Sequence, residues 1–223
     1  MTRDRGTLES EEVSYLRKVA VMSVAQHTSS TPVGGQGDLS ALIATDGSTN
    51  HVNTVTGRVL ALVRIAFGFT FLWAFFDKLL ALGFSTGRAE NGTVDRFGDA
   101  AWIHNGNPTE GFLKFGAKGP FEGFYHAIAG QTWVNVLFML ALLGIGTALL
   151  LGVAMRFAGL AGGVLYLMMW TVAMPPETNP LIDDHILGGL TIVALALLAA
   201  GDTWGLGHRW AKIPVVAKNP ALR

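Results

Sequence analysis

The sequence predicts an all-α membrane protein, a four-transmembrane-helix bundle with an extracytoplasmic amphipathic loop and a disordered N-terminal tail. Three observations predict it. Half of the 223 residues are hydrophobic and only 14% are charged, too apolar a balance for an ordinary soluble domain of this size. Four stretches, residues 59–84, 133–155, 157–174 and 180–201, each approach the roughly 20 mostly apolar residues that a spanning helix needs. Lipid offers no partner to a backbone amide or carbonyl, so each stretch must satisfy its own groups as a helix.

Residues 1–54 are polar and rich in Ser, Thr and Gly, with Gly34-Gly35-Gln36-Gly37 as a flexible stretch. They read as a disordered cytoplasmic tail, with an interaction arm as the alternative. Inside the tail, residues 10–25 have the pattern of a short helix, with Ser10 as cap and Tyr15, Val19 and Met22 loosely periodic. The first long apolar run starts only near Val59, so the N-terminus lacks a signal-peptide core.

Arg64 lies inside the first span. It reads either as a side chain snorkelling to the headgroups or as the partner of an anion or carboxylate within the bundle. Lys78 comes 14 residues later. That is about 21 Å along a helix, and steps of about 100° return it nearly to the same face. The loop at 85–132 carries a stripe of Phe121, Phe124, Tyr125 and Ile128 behind Pro120, the signature of an amphipathic helix at an interface or over the bundle mouth.

Gly144, Gly146 and Gly152 in the second span, and Gly159, Gly162 and Gly163 in the third, read as packing residues. Trp102, Trp133, Trp170 and Trp204 sit near span ends, as an aromatic belt does. Arg58, Arg156, Arg209, Lys212, Lys218 and Arg223 fall on one side, while residues 175–184 hold no Lys or Arg. The expectation is a multi-pass protein of the cell membrane with both termini cytoplasmic. The loop at 85–132 runs against the rule with Arg88, Arg96, Lys114 and Lys118, but long loops obey it poorly.

The run from Pro175 to His185 holds the chemistry. Asn179-Pro180 reads as a helix cap followed by the first helical residue. Helix-end electrostatics then explains one of the acids Asp183 and Asp184. Two carboxylates and the imidazole of His185 at the mouth of a membrane helix point to function, with His185 able to pass protons near neutral pH. His185 with Asp184, His104 or His126 could ligate a metal. No H-x-x-x-H or H-E-x-x-H spacing is present, and no metal is predicted. His27, His51 and His208 lie in tails, and the sequon Asn91-Gly92-Thr93 matters only in a glycosylating host.

The absence of cysteine excludes disulfide relays and thiolate-held clusters within this chain. A formal net charge of zero argues against nucleic acid as a partner.

The pattern resembles DoxX/DoxD-type membrane proteins. The residues that carry the likeness are Arg64-x-x-x-Gly68-x-x-Phe71-Leu72-Trp73-Ala74-x-x-x-Lys78, Gly119-Pro120-Phe121 and Gly146-x-Ala148-Leu149-Leu150-Leu151-Gly152. Pro175-Pro176-x-x-Asn179-Pro180-Leu181-Ile182-x-Asp184-His185-Ile186 and Trp204-Gly205-Leu206-Gly207 complete it. The subgroup most similar is the DoxD-like subunit of thiosulfate:quinone oxidoreductase.

The resemblance implies a membrane domain over residues 55–212, followed by a cytoplasmic tail at 213–223. It implies oxidation of two thiosulfates to tetrathionate, with a membrane quinone as electron acceptor and a DoxA-like second subunit as partner. Thiosulfate is a dianion, so Lys78, Arg64, Lys114 and Lys118 are the cations on offer for it, with Asn179 beside them. Phe75, Trp170 and Met174 are candidate walls of a quinone slot. His185, backed by Asp184 and with Asp183 adjacent, is the candidate proton donor. The sequence carries no redox cofactor motif, which leaves a non-catalytic membrane scaffold or a small-solute carrier as the alternative. No internal repeat supports the carrier.

Overall fold

The computed structural model describes residues 54–177 and 179–223. The expected tail and its short helix lie outside the described residues. Among the described residues every named element is helical, with a single isolated bridge between Arg88 and Val94. The helices are α1 (Thr54–Leu80), α2 (Glu122–Ile128), α3 (Thr132–Leu151), α4 (Met155–Val172), α5 (Asp184–Leu197), α6 (Gly207–Ala211) and α7 (Pro214–Lys218).

Three of them, α1, α3 and α4, are long and apolar enough to cross a membrane. The fourth apolar helix, α5, has 14 residues, about 21 Å against a hydrocarbon core of about 30 Å. The expected helix start at Asn179-Pro180 is corrected. Asn179 Oδ1 accepts from the amides of Leu181 at 3.0 Å and Ile182 at 3.1 Å, closing a local turn. The indole of Trp170 donates to the Leu181 carbonyl at 3.0 Å and holds that turn against α4. The helix begins only at Asp184, with Asp183 as its cap.

α1 packs on α3, α3 on α4, and α4 on α5. Their shared core is built from Phe71, Met139, Leu149, Ile192 and Leu195, among others. Phe69, Leu137, Leu160 and Leu190 point outward, as a lipid-facing surface requires. The α1–α3 crossing is close enough to touch backbone. A Cβ on Gly68 would lie 2.7 Å from the Leu150 amide nitrogen, and one on Gly146 would lie 2.9 Å from that of Leu72. Small residues at this crossing are therefore a steric requirement. Gly144, by contrast, faces open space.

The amphipathic stripe of the long loop divides. Pro120 sits in the first turn of a short 3-10 helix, Gly119–Phe121, and α2 follows directly. Tyr125 and Ile128 pack with Leu113, Ala117 and Val172 in a small second core at the end of α4. Phe121 and Phe124 stay exposed.

Candidate functional site

One carboxylate organises the mouth of α5. Asp183 Oδ1 accepts from the amides of His185 at 3.0 Å and Ile186 at 3.2 Å, the geometry of an N-cap. Its other oxygen, Oδ2, lies 2.7 Å from His185 Nδ1. The same side chain thus fixes both the helix start and the ring. With Nδ1 donating to Asp183, Nε2 has no hydrogen-bond partner among the described residues. Burial pulls the Asp183 carboxyl upward. The imidazole hydrogen bond, the two amides and the charge of His185 outweigh it and hold the group below the usual carboxylate range.

The sequence reading backs His185 with Asp184, and here the structure differs. Asp184 is the first helical residue and is exposed. The residue before the helix has the extended backbone that lets a cap side chain reach forward, so Asp183 takes the imidazole. All three residues line one cleft of about 360 Å³. Phe112, Phe115, Ala173, Pro175 and Pro176 supply its apolar walls, and Lys118 and Glu177 its remaining charges.

Tyr166, outside the cleft lining, is the neighbour of His185 that sequence reasoning missed. Its ring centroid lies 6.3 Å from that of His185. Phe67 and Phe71 meet the same ring edge-on at 6.4 Å and 5.7 Å. A Cβ on Gly188 would fall 2.8 Å from Tyr166 Cζ, so the tyrosine needs a glycine one turn beyond the histidine. The available signal was the pair Gly188-Gly189 facing a lone tyrosine in the preceding span.

Of the other nominated residues Lys118 lines this cleft, while Arg64, Lys78, Lys114, Asn179, Phe75, Trp170 and Met174 do not. Lys78 Nζ donates to Ser85 Oγ at 3.1 Å, and Ser85 Oγ donates to Asp77 Oδ2 at 2.6 Å. Asp77, only 1% exposed, also accepts the amides of Phe84 and Ser85, so it secures the turn after α1. Lys114 pairs with Glu110 at 2.9 Å, and Lys118 with Glu177 at 3.7 Å, all at the surface. Phe75 packs against the core and on Phe76, Trp170 holds Leu181, and the Met174 carbonyl faces Gly119. None of these three lines the cleft. His104 and His126 turn to Gly98 and Glu122.

Arg64 stands at the opposite end of the bundle, with 0% exposure. Its Nε donates to Ala200 O at 3.0 Å, and Nη1 donates to the carbonyls of Leu149 and, at 2.9 Å, Leu150. Nη2 reaches Thr203 O at 3.3 Å and Trp204 O at 3.0 Å. The guanidinium neither snorkels nor meets a carboxylate. It answers orphan carbonyls at the C-terminal end of α3 and in the segment after α5. No family model, curated protein or solved structure matches the chain.

Proposed function

We propose that this chain is the membrane subunit of a quinone-linked thiosulfate oxidoreductase, a four-span bundle of the cell membrane with both termini cytoplasmic. Two things support the reading: the DoxX/DoxD-type residues quoted above, and a single structural observation. That observation is an imidazole, oriented by Asp183 at Nδ1, in a residue that lines a cleft of mixed apolar and charged walls at the bundle mouth. The fourth span is α5 itself, with Asp183 as the cap outside it, and local thinning of the bilayer accommodates its short length.

Two thiosulfates join through a new S–S bond and release two electrons. A quinone takes up those two electrons and two protons to become a quinol. The cleft volume falls in the range of small-molecule sites, and its aromatic and proline walls with a few polar groups suit a quinone head. Protonated His185 donates from Nε2 to the quinone oxygen, while Asp183 at Nδ1 stabilises the charged ring and allows its reprotonation. Lys78, Lys114 and Asn179 are the groups offered to the dianion, and a DoxA-like second subunit completes the donor side. Arg64 belongs to the scaffold.

The test is thiosulfate-dependent reduction of a soluble quinone analogue by membranes holding this chain and its partner. Loss of activity in His185→Ala is expected. Absence of activity in the wild type overturns the reaction, and full activity in His185→Ala overturns the assignment of the proton donor. The competing reading, a non-catalytic scaffold for envelope redox enzymes, draws on the exposed Phe121 and Phe124. Stable co-purification with enzymes but without quinone favours it.

A further inference from the structure

The cleft at His185 has a rim that the reaction does not account for. Phe112 and Phe115 form one wall, yet Phe115 is 80% exposed and Phe112 41%. Both sit on a single π-helical turn, Phe112–Gly116, whose one buried residue is Leu113. Leu113 and Ala117 anchor this turn to Val172 at the end of α4, and the Lys118 amide donates to the Val172 carbonyl at 3.3 Å. The turn is therefore rooted in the bundle and holds its two phenylalanines outward by construction. Phe121 and Phe124 follow on the next turns of the same loop, 44% and 59% exposed.

Four outward phenylalanines in one short loop are poorly placed in water. They are well placed at the boundary of headgroups and acyl chains, where aromatic rings partition. Val134 at the start of α3 and Val172 at the end of α4 pack against this loop, so the outward apolar faces of those two helices run on from it.

We propose that the Phe112–Phe115 rim lies in the membrane interface and is a lateral portal, through which a lipid-dissolved substrate reaches His185 from the bilayer. This rests on the quinone reading for the identity of the substrate, but not for the contact with lipid. The occupant is the lipid surface itself. Glu177, which lines the same cleft with its side chain 87% exposed, marks the aqueous lip.

The chain has no cysteine, so single labels are unambiguous. Phe115→Cys and Glu177→Cys, each carrying a nitroxide, are reconstituted in phosphatidylcholine–phosphatidylglycerol vesicles. Collisions with oxygen and with a water-soluble nickel chelate are then measured. The label at residue 115 is expected to favour oxygen and the label at 177 the chelate. A label at 115 as open to the chelate as that at 177 overturns the portal. So does one shielded from both reagents, which would mean that a protein covers the rim.

A second measurement uses Phe112→Ser/Phe115→Ser. Both quinones lose what the shared wall contributes, and reduction of a long-tailed quinone dissolved in the vesicles should fall several-fold further than that of a short-tailed soluble analogue. Equal losses with both quinones overturn the portal. Failure of the wild type to reduce either quinone overturns the proposed function instead, and the label measurement then decides the lipid contact alone.

Discussion

The two ends of the bundle are made by the same helices and treat charge in opposite ways. At the Arg64 end, every donor group of a fully buried guanidinium meets a backbone carbonyl. At the His185 end, Asp183 answers one ring nitrogen, the other has no hydrogen-bond partner among the described residues, and the residue lines a cleft. An ionisable group in an apolar span is a reason to look for function. What separates a clasp from a reactive group is whether its hydrogen-bonding capacity is exhausted by the fold.

The strongest way to break this contrast is Arg64→Ala. It leaves buried carbonyls of Leu149, Leu150 and Ala200 without a charged donor, and the expected loss exceeds about 3 kcal/mol. Thermal unfolding of detergent-solubilised protein reads it. Arg64→Lys should not restore stability, because one ammonium cannot reach carbonyls on both sides as the fork does.

His185→Ala should behave in the reverse manner. Quinone reduction falls by about 10²- to 10⁴-fold, while the unfolding transition moves far less than in Arg64→Ala. If His185→Ala melts the protein and Arg64→Ala leaves it folded, the roles assigned to the two ends are wrong.

A smaller effect sharpens the active end. Gly188→Ala drives a methyl into the Tyr166 ring, at an overpacking cost of about 1–3 kcal/mol. With the tyrosine displaced, acylation of the His185 imidazole by diethyl pyrocarbonate, followed by mass spectrometry, should speed up. An unchanged rate would mean that Tyr166 does not shape the access of His185.

The smallest expected effect concerns Asp183. Asp183→Ala removes the cap of α5 at about 1 kcal/mol, whereas Asp183→Asn keeps a capping oxygen. The carboxyl is depressed in the folded protein. Its contribution to stability is therefore complete above the ordinary unfolded carboxylate value and is lost as pH falls through the folded one. The acid arm of the stability curve should flatten in Asp183→Asn. An identical acid arm in the variant would show that Asp183 is not a linked group.

The long helices were legible because burial in lipid imposes a length and an absence of charge that one chain displays. Residues 133–155 and 157–174 were expected and Thr132–Leu151 and Met155–Val172 were found. The start of α5 was not legible. Asn179-Pro180 and Asp183-Asp184 are both good caps by residue type, and what decides between them is the Trp170 indole on Leu181, a contact across elements. The same holds for the site. A charged cluster before an apolar run marks Asp183, Asp184 and His185, with Asp184 ahead of Asp183. Which acid holds the imidazole depends on cap geometry, and the partners of Arg64 are carbonyls, which every residue has and no sequence pattern advertises.

The carbonyls that receive Arg64 come from 85 to 140 residues later in the chain. When α1 first enters a bilayer, nothing inside the membrane can accept its guanidinium, so the arginine must wait among headgroups or water. Only after α3 has turned and the segment through Trp204 has arrived can the side chain be drawn fully inward. The burial of a side chain near the start of α1 thus depends on residues 136 to 140 positions further along the chain.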